Sequence, residues 1–182
     1  MTNPLPTLSF VIPCYNEEAV LPRLLDTLRD MSRELQAAGH IAGAAQILLV
    51  DDGSKDRTWE LIEAARDSHV ATGLRLSRNQ GHQAALLAGL LNADADVTIS
   101  MDADLQDDPR VVVQMLERYR EGAEIVFGVR AARDTDTAFK RLTARGYYKA
   151  LHALDVDVIP DHADFRLMSA KAIVALDSFQ ER

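Results

Sequence analysis

VTISMDADLQDDPRVVVQMLERYREG, residues 97–122, decides how the rest of the chain is read. A short apolar run ends in an acidic turn, and a segment with apolar residues at helical spacing follows. Pro109 stands where a first helical turn accepts a residue with no amide donor. The stretch therefore reads as strand, carboxylate-rich loop, helix.

The same order recurs on both sides. LSFVIP (8–13) predicts a buried strand and 17–39 a helix, with Pro22 tolerable only near its first turn. AQILLVD (45–51) predicts a second strand, followed by a helix starting near Asp56, whose side chain suits the N-cap of RTWELIEAARDS. LRLS (74–77) leads into the helix GHQAALLAGLLN, and EIVFGV (124–129) follows the quoted stretch. Five apolar runs separated by helices predict an α/β fold, a mostly parallel sheet with helices on both faces. AARDTDTA (131–138) is expected as a loop, 139–154 as a helix and 168–182 as a short terminal helix. No repeat or Pro/Gly-rich linker divides the chain, so 1–182 is expected to be one domain.

Composition narrows the function classes. A chain of 182 residues can enclose a substantial core, and 47% apolar with 26% charged residues excludes a wholly disordered chain. Twenty Lys and Arg against 28 Asp and Glu give a net charge of −8, which argues against a broad nucleic-acid footprint. The lone Cys14 excludes an intramolecular disulfide and suits a reducing compartment, so a cytoplasmic location is expected. The amino terminus lacks the pattern of a secretory signal, and no run reaches the roughly 18 apolar residues of a membrane span. A membrane, if engaged, is met from the side.

In an open parallel sheet, ligands bind at the carboxyl ends of the strands. Those ends carry PCYNEE (13–18), DDGSKD (51–56), SRNQGH (77–82), DADLQDD (102–108) and GVR (128–130). Asp56 and Asp108 read as helix caps. Asp102 and Asp104 precede the cap, one residue apart, where each raises the cost of ionising the other unless a cation lies beside them. Mg²⁺ or Mn²⁺ prefers oxygen donors and keeps positions for water and phosphate, so Asp104 and the amide oxygen of Gln106 offer a partial shell. Asp51 and Asp52, before Gly53, admit two readings. A carboxylate reaches into the cleft to accept hydrogen bonds from a base or ribose, or it closes an Asx turn on its own backbone. His82 likewise faces either a substrate or the end of its own helix, Cys14 reads as a small buried residue, and Trp59, Tyr147 and Tyr148 read as packing residues.

Together VIPCYNEE, VDDGSKDRT, LSRNQGHQAALLAGL, MDADLQDDP, FGVR and ADFRLMS resemble the family 2 glycosyltransferases of GT-A fold, most nearly the dolichyl- or undecaprenyl-phosphate sugar transferases. The likeness runs from about Leu8 to Ser169 with six motifs in order. It implies a nucleotide pocket built from Pro13, Tyr15, Glu17, Asp51, Asp52, Gly53 and Asp102, with Asp52 reading the base. It further implies Mg²⁺ or Mn²⁺ held by Asp102, Asp104 and Gln106 on the sugar diphosphate. Arg130 and Arg141 match positions used for an acceptor phosphate, although a solvated helix face equally suits Arg141. Asp164 and Arg166 match an acceptor-side motif, expected in a loop, in which Ala163 replaces the usual Gly. The implied partners are a nucleotide-sugar donor, with UDP-sugars favoured, and a polyprenyl phosphate acceptor at the inner membrane surface; self-association stays open. Such transferases continue into an anchoring region, which this chain is expected to lack.

Three other classes fit less well. A receiver module places its acidic pair after the first strand, whereas here the pair follows the second. A nucleotidyltransferase would share the metal and release pyrophosphate instead of a nucleoside diphosphate. A dinucleotide oxidoreductase needs a G-x-G-x-x-G that does not follow the first strand.

Overall fold

The computed structural model describes residues 4–104, 111–129 and 162–178. A six-stranded sheet forms the centre: β1 (Leu8–Cys14), β2 (Gln46–Asp51), β3 (Thr72–Arg75), β4 (Val97–Ser100), β5 (Ile125–Val129) and β6 (His162–Ser169). The helices are α1 (Leu21–Ala37), α2 (Thr58–Asp67), α3 (His82–Asn92), α4 (Val111–Arg120) and α5 (Ala170–Ser178). The strand order is β3-β2-β1-β4-β6-β5. Its first four strands run parallel, and β6 pairs antiparallel with both β4 and β5.

β1 is central, and all seven of its residues are buried because helices cover both faces. Leu8, Phe10 and Ile12 pack towards α1, α2 and α4, into a core that includes Leu21, Leu24, Leu28, Ile62 and Met115. Val11, with Leu48 and Val50 of β2, packs towards Ala85, Leu86 and Leu90 of α3 and Ile173 of α5. Each fully buried Leu of α1 contributes about 2 kcal/mol of hydrophobic stabilisation. Gly89 sets the closeness of the second layer, since a Cβ there would meet Val11 Cγ1 and lie 2.9 Å from Val50 Cγ2. The mostly parallel α/β sheet expected from the sequence is thus present, with its first five strands within one or two residues of the predicted runs.

One expectation is corrected. ADFRLMS is not a loop but most of β6, inserted between β4 and β5, so the parallel run stops at β4. The alternation explains it: Phe165 and Leu167 enter the larger core while Met168 faces the smaller one. The terminal helix accordingly begins at Ala170 rather than at residue 168. The expected loop 131–138, the helix 139–154, Tyr147, Tyr148, Asp108 and Pro109 lie outside the described residues.

A polar staple closes the end of the sheet opposite the carboxyl edge. The amide and hydroxyl of Thr7 both donate to Asp96 Oδ2 at 2.8 Å, and the Asp96 amide donates to Thr7 Oγ1 at 2.8 Å. These bonds hold the Asp96 carboxyl below its ordinary pKa. A depressed carboxyl pKa contributes stability above the unfolded value and loses it as pH falls through the folded value. Asp96→Ala is therefore expected to cost about 1 kcal/mol at pH 7. The difference should shrink below about pH 4, as urea titrations of both proteins at each pH will measure.

Candidate active site

The loops at the carboxyl edge enclose a cleft of about 270 Å³. The β1–α1 loop brings Tyr15 and Glu17 beside Pro13 and Cys14, and the residue after β2 brings Asp52. Asn79 and Gly81 come from the β3–α3 loop, His82 and Ala85 from α3, and Asp102, Ala103 and Asp104 from the loop after β4. Of the predicted site residues, Pro13, Tyr15, Glu17, Asp52, Asp102 and Asp104 are thus assembled around one space. Gln106, Arg130 and Arg141 lie outside the described residues.

The two readings of the acidic pair divide between its members. Asp51 is fully buried and is not part of the lining; its Oδ1 accepts the Ser54 amide at 3.1 Å, closing the turn onto its own backbone. Its Oδ2 stands 3.3 Å from Arg75 Nε, and that guanidinium lies 5.2 Å from the centroid of Trp59. Gly53 also stays out of the lining and acts through its backbone. It has φ +71°, and a Cβ would come within 2.7 Å of the Arg78 and Asn79 backbone. Asp52 does line the cleft, and its carboxylate also ties down the third loop. Oδ1 accepts the Gln80 amide at 2.7 Å and Oδ2 the Gly81 amide at 2.9 Å. Within SRNQGH, Asn79 and Gly81 were not singled out from sequence, because the partner that fixes the Gln80 and Gly81 amides is 28–29 residues away at Asp52.

The N-cap of α2 is Arg57 rather than the expected Asp56, which stands one residue earlier and accepts the Thr58 amide at 3.0 Å and the Thr58 hydroxyl at 2.6 Å. Cys14 is buried, and burial, followed by the charges of Glu17 and Asp51, pushes its thiol well up and away from the thiolate. His82 Nε2 approaches Asp102 Oδ1 at 3.8 Å, an ion pair when the imidazole is protonated. Arg166 pairs with Ser100 across β4 and β6. Two residues onward towards the carboxyl end of β4 lies Asp102, and the same step along β6 reaches Asp164.

The sequence model of glycosyl transferase family 2 matches residues 9–176. The chain belongs to glycosyltransferase family 2. It is 48% identical over 180 residues to uncharacterized glycosyltransferase YkoT of Bacillus subtilis, covering 97% of this chain and 53% of that one. It is 42% identical over 144 residues to undecaprenyl-phosphate 4-deoxy-4-formamido-L-arabinose transferase of Pseudomonas aeruginosa, covering 78% and 40%. The chain thus spans about half the length, or less, of these relatives. Its GT-A fold is shared with glucosyl-3-phosphoglycerate synthase of Mycobacterium tuberculosis, crystallised with Mn²⁺, UDP-glucose and phosphoglyceric acid. That likeness has a TM-score of 0.61 at 22% identity, over 91% of this chain and 57% of that one.

In this family 2 transferase the cleft gathers negative charge. Glu17 has its carboxyl raised above the ordinary value first by burial and then by the charges of Asp104, Asp56 and Asp102. Among the described residues no three His, Cys, Asp or Glu side chains come together as a metal cage. Two carboxylates in a cleft with excess negative charge still fit a hard divalent ion that takes its other ligands from water or substrate.

Two predictions follow from this geometry. A raised carboxyl pKa means that the folded protein keeps the proton longer than the unfolded chain, so ionised Glu17 opposes folding at neutral pH. Glu17→Gln is expected to melt above the parent at pH 7 to 8, with the two curves converging as pH falls to the ordinary value of 4.5. Gly53→Ala should destabilise by about 2 kcal/mol or more, read as a lowered urea midpoint.

Proposed function

We propose that the chain is the catalytic domain of an inverting glycosyltransferase that moves a sugar from a nucleoside-diphosphate sugar, with UDP-sugars favoured, to a polyprenyl phosphate. The observation that carries this reading is the single cleft uniting Tyr15, Glu17 and Asp52 with Asp102 and Asp104. A nucleoside fits the first group, which offers an aromatic face and carboxylate acceptors for base or ribose donors. Asp52 has lone pairs left after binding the two amides, and so can also meet a base N–H.

Asp102 and Asp104, with Gln106, would hold Mg²⁺ or Mn²⁺, which when bound offsets the charge developing on the leaving diphosphate. In the reaction an oxygen of the acceptor phosphate bonds to the anomeric carbon as the bond from that carbon to the diphosphate oxygen breaks. Attack comes from the opposite face, the configuration inverts, and the electron pair leaves with the nucleoside diphosphate. A phosphate acceptor is already anionic and needs no strong general base, so Asp164 would orient acceptor or sugar rather than remove a proton. Arg166, Arg130 and Arg141 would grip the acceptor phosphate through paired N–H donors.

Support for the acceptor class comes from the named activity of the Pseudomonas relative and from β6, which sets Arg166 two residues from the register position of Asp102. Among the described residues no helix is long and apolar enough to cross a membrane. A polyprenyl phosphate acceptor would have the domain work peripherally at the inner, cytoplasmic face of the membrane.

A thermal-shift screen over UDP- and GDP-sugars with Mn²⁺ or Mg²⁺ tests the donor. The expected result is stabilisation by one nucleotide class, abolished by EDTA and by Asp104→Ala. Stabilisation that survives both would refute the metal site, and no stabilisation by any donor would refute the donor reading. Labelled sugar recovered in the organic phase with polyprenyl phosphate in detergent supports the acceptor; transfer only to water-soluble saccharides replaces it.

A further inference from the structure

The loops after β1 and β2 are joined by hydrogen bonds that no chemical step accounts for. Asn16, Glu17 and Glu18 present three consecutive amides, and each donates to a side chain of the second loop or of Thr58 at the start of α2. The acceptors are Ser54 Oγ at 2.9 Å, Thr58 Oγ1 at 2.7 Å and Asp56 Oδ2 at 3.2 Å, in that order. Two amides return the contact: Lys55 donates to Asn16 Oδ1 at 2.8 Å and Arg57 to Glu18 Oε2 at 2.9 Å. The roles alternate along the first loop. Asn16 and Glu18 commit their side chains to the neighbouring loop, while Tyr15 and Glu17 line the cleft.

The local chemistry suits this arrangement. Asn16 has φ 58°, a left-handed conformation that Asn tolerates better than most residues. Thr58 is fully buried, and its hydroxyl donates to Asp56 at 2.6 Å while accepting the Glu17 amide, so both capacities are filled. A connecting loop is ordinarily mobile, and ordering it when a ligand arrives subtracts from affinity. Here the ordering cost is met during folding, which leaves two cleft residues already in place.

We propose that Asn16, Ser54 and Thr58 are positioning residues for donor binding. They lock the first loop to the second so that Tyr15 and Glu17 stand in the cleft before the nucleotide arrives. This role rests on the nucleotide-sugar reading of the cleft.

Ser54→Ala and Thr58→Val remove acceptors from the network, while Ser54→Thr and Thr58→Ser keep them. Asp96→Ala is the control, loosening the opposite end of the sheet. Two quantities are read: hydrogen exchange of the 15–18 amides in the free protein, and the Kd for UDP, and for GDP, with Mn²⁺ by calorimetry. Ser54→Ala and Thr58→Val should speed exchange about tenfold and weaken nucleotide binding roughly five- to twentyfold. The hydroxyl-retaining variants should restore both, and Asp96→Ala should lower the melting temperature with Kd unchanged. Ser54 is only half-buried, so its Ala variant gives the answer even where Thr58→Val fails to fold. Faster exchange with unchanged Kd would make the network structural alone and overturn the proposal, as would equal weakening by Asp96→Ala. A parent protein that binds neither nucleotide removes the donor reading first, and the positioning role with it.

Discussion

The cleft depends on where the sheet changes its direction of growth. The chain adds β2 and β3 on one side of β1, then returns and sets β4 on the other. The loops leaving β1 and β4 therefore part, and a crevice opens at the switch point, where open α/β sheets bind ligands. Parallel pairing on both sides of β1 brings the acidic loops to the same edge. None of this survives without the complete burial of β1, because an exposed central strand would have no reason to accept a parallel neighbour on each side.

Most of that arrangement was legible from one dimension of information. Continuous apolar runs such as LSFVIP and QILLVD mark strands covered on both faces, and the acidic or Gly-containing turns after them mark the edge where ligands bind. β6 was not legible in the same way, although its period-two signal was present. Phe165 and Leu167 alternate with Asp164 and Arg166, and a charged residue at every other position reads as a polar loop. The acidic pair failed differently. Asp51 and Asp52 are adjacent and chemically identical, and only the distant partners Arg75, Gln80 and Gly81 separate the buried turn-former from the cleft residue. Local pattern cannot rank residues whose roles are set by contacts some 24–29 positions away.

The carboxylates of the cleft are also unequal in their surroundings. Asp52 faces two amide donors, which satisfy its charge within the protein. Asp56, outside the lining, is held below its ordinary pKa by its Thr58 and Glu18 hydrogen bonds, although desolvation works against them. Glu17 has the opposite balance, with burial and three neighbouring carboxylates against it. The charges that act on Glu17 come from both sides of it, Asp56 from the loop after β2 and Asp104 and Asp102 from the loop after β4. A cation beside Glu17, Asp102 and Asp104 would offset the repulsion that raises the Glu17 carboxyl.

This asymmetry gives the halves of the cleft different physical characters. Asp52 ties the third loop to the second, and the Asp52 amide donates to Cys14 O at 2.9 Å to tie the second to the first. Three loops from β1, β2 and β3 thus form one cross-linked wall. Across from it, β4 receives β6 as an antiparallel neighbour, which sets Arg166 opposite Ser100, two residues before Asp102. On the proposed nucleotide-sugar reading, an invariant grip on a nucleoside suits the first wall, because every donor of one class presents the same nucleoside. The same reading would leave variation in sugar and acceptor to the side of β4 and β6, where residues can change without disturbing the hydrogen bonds that hold the first wall together.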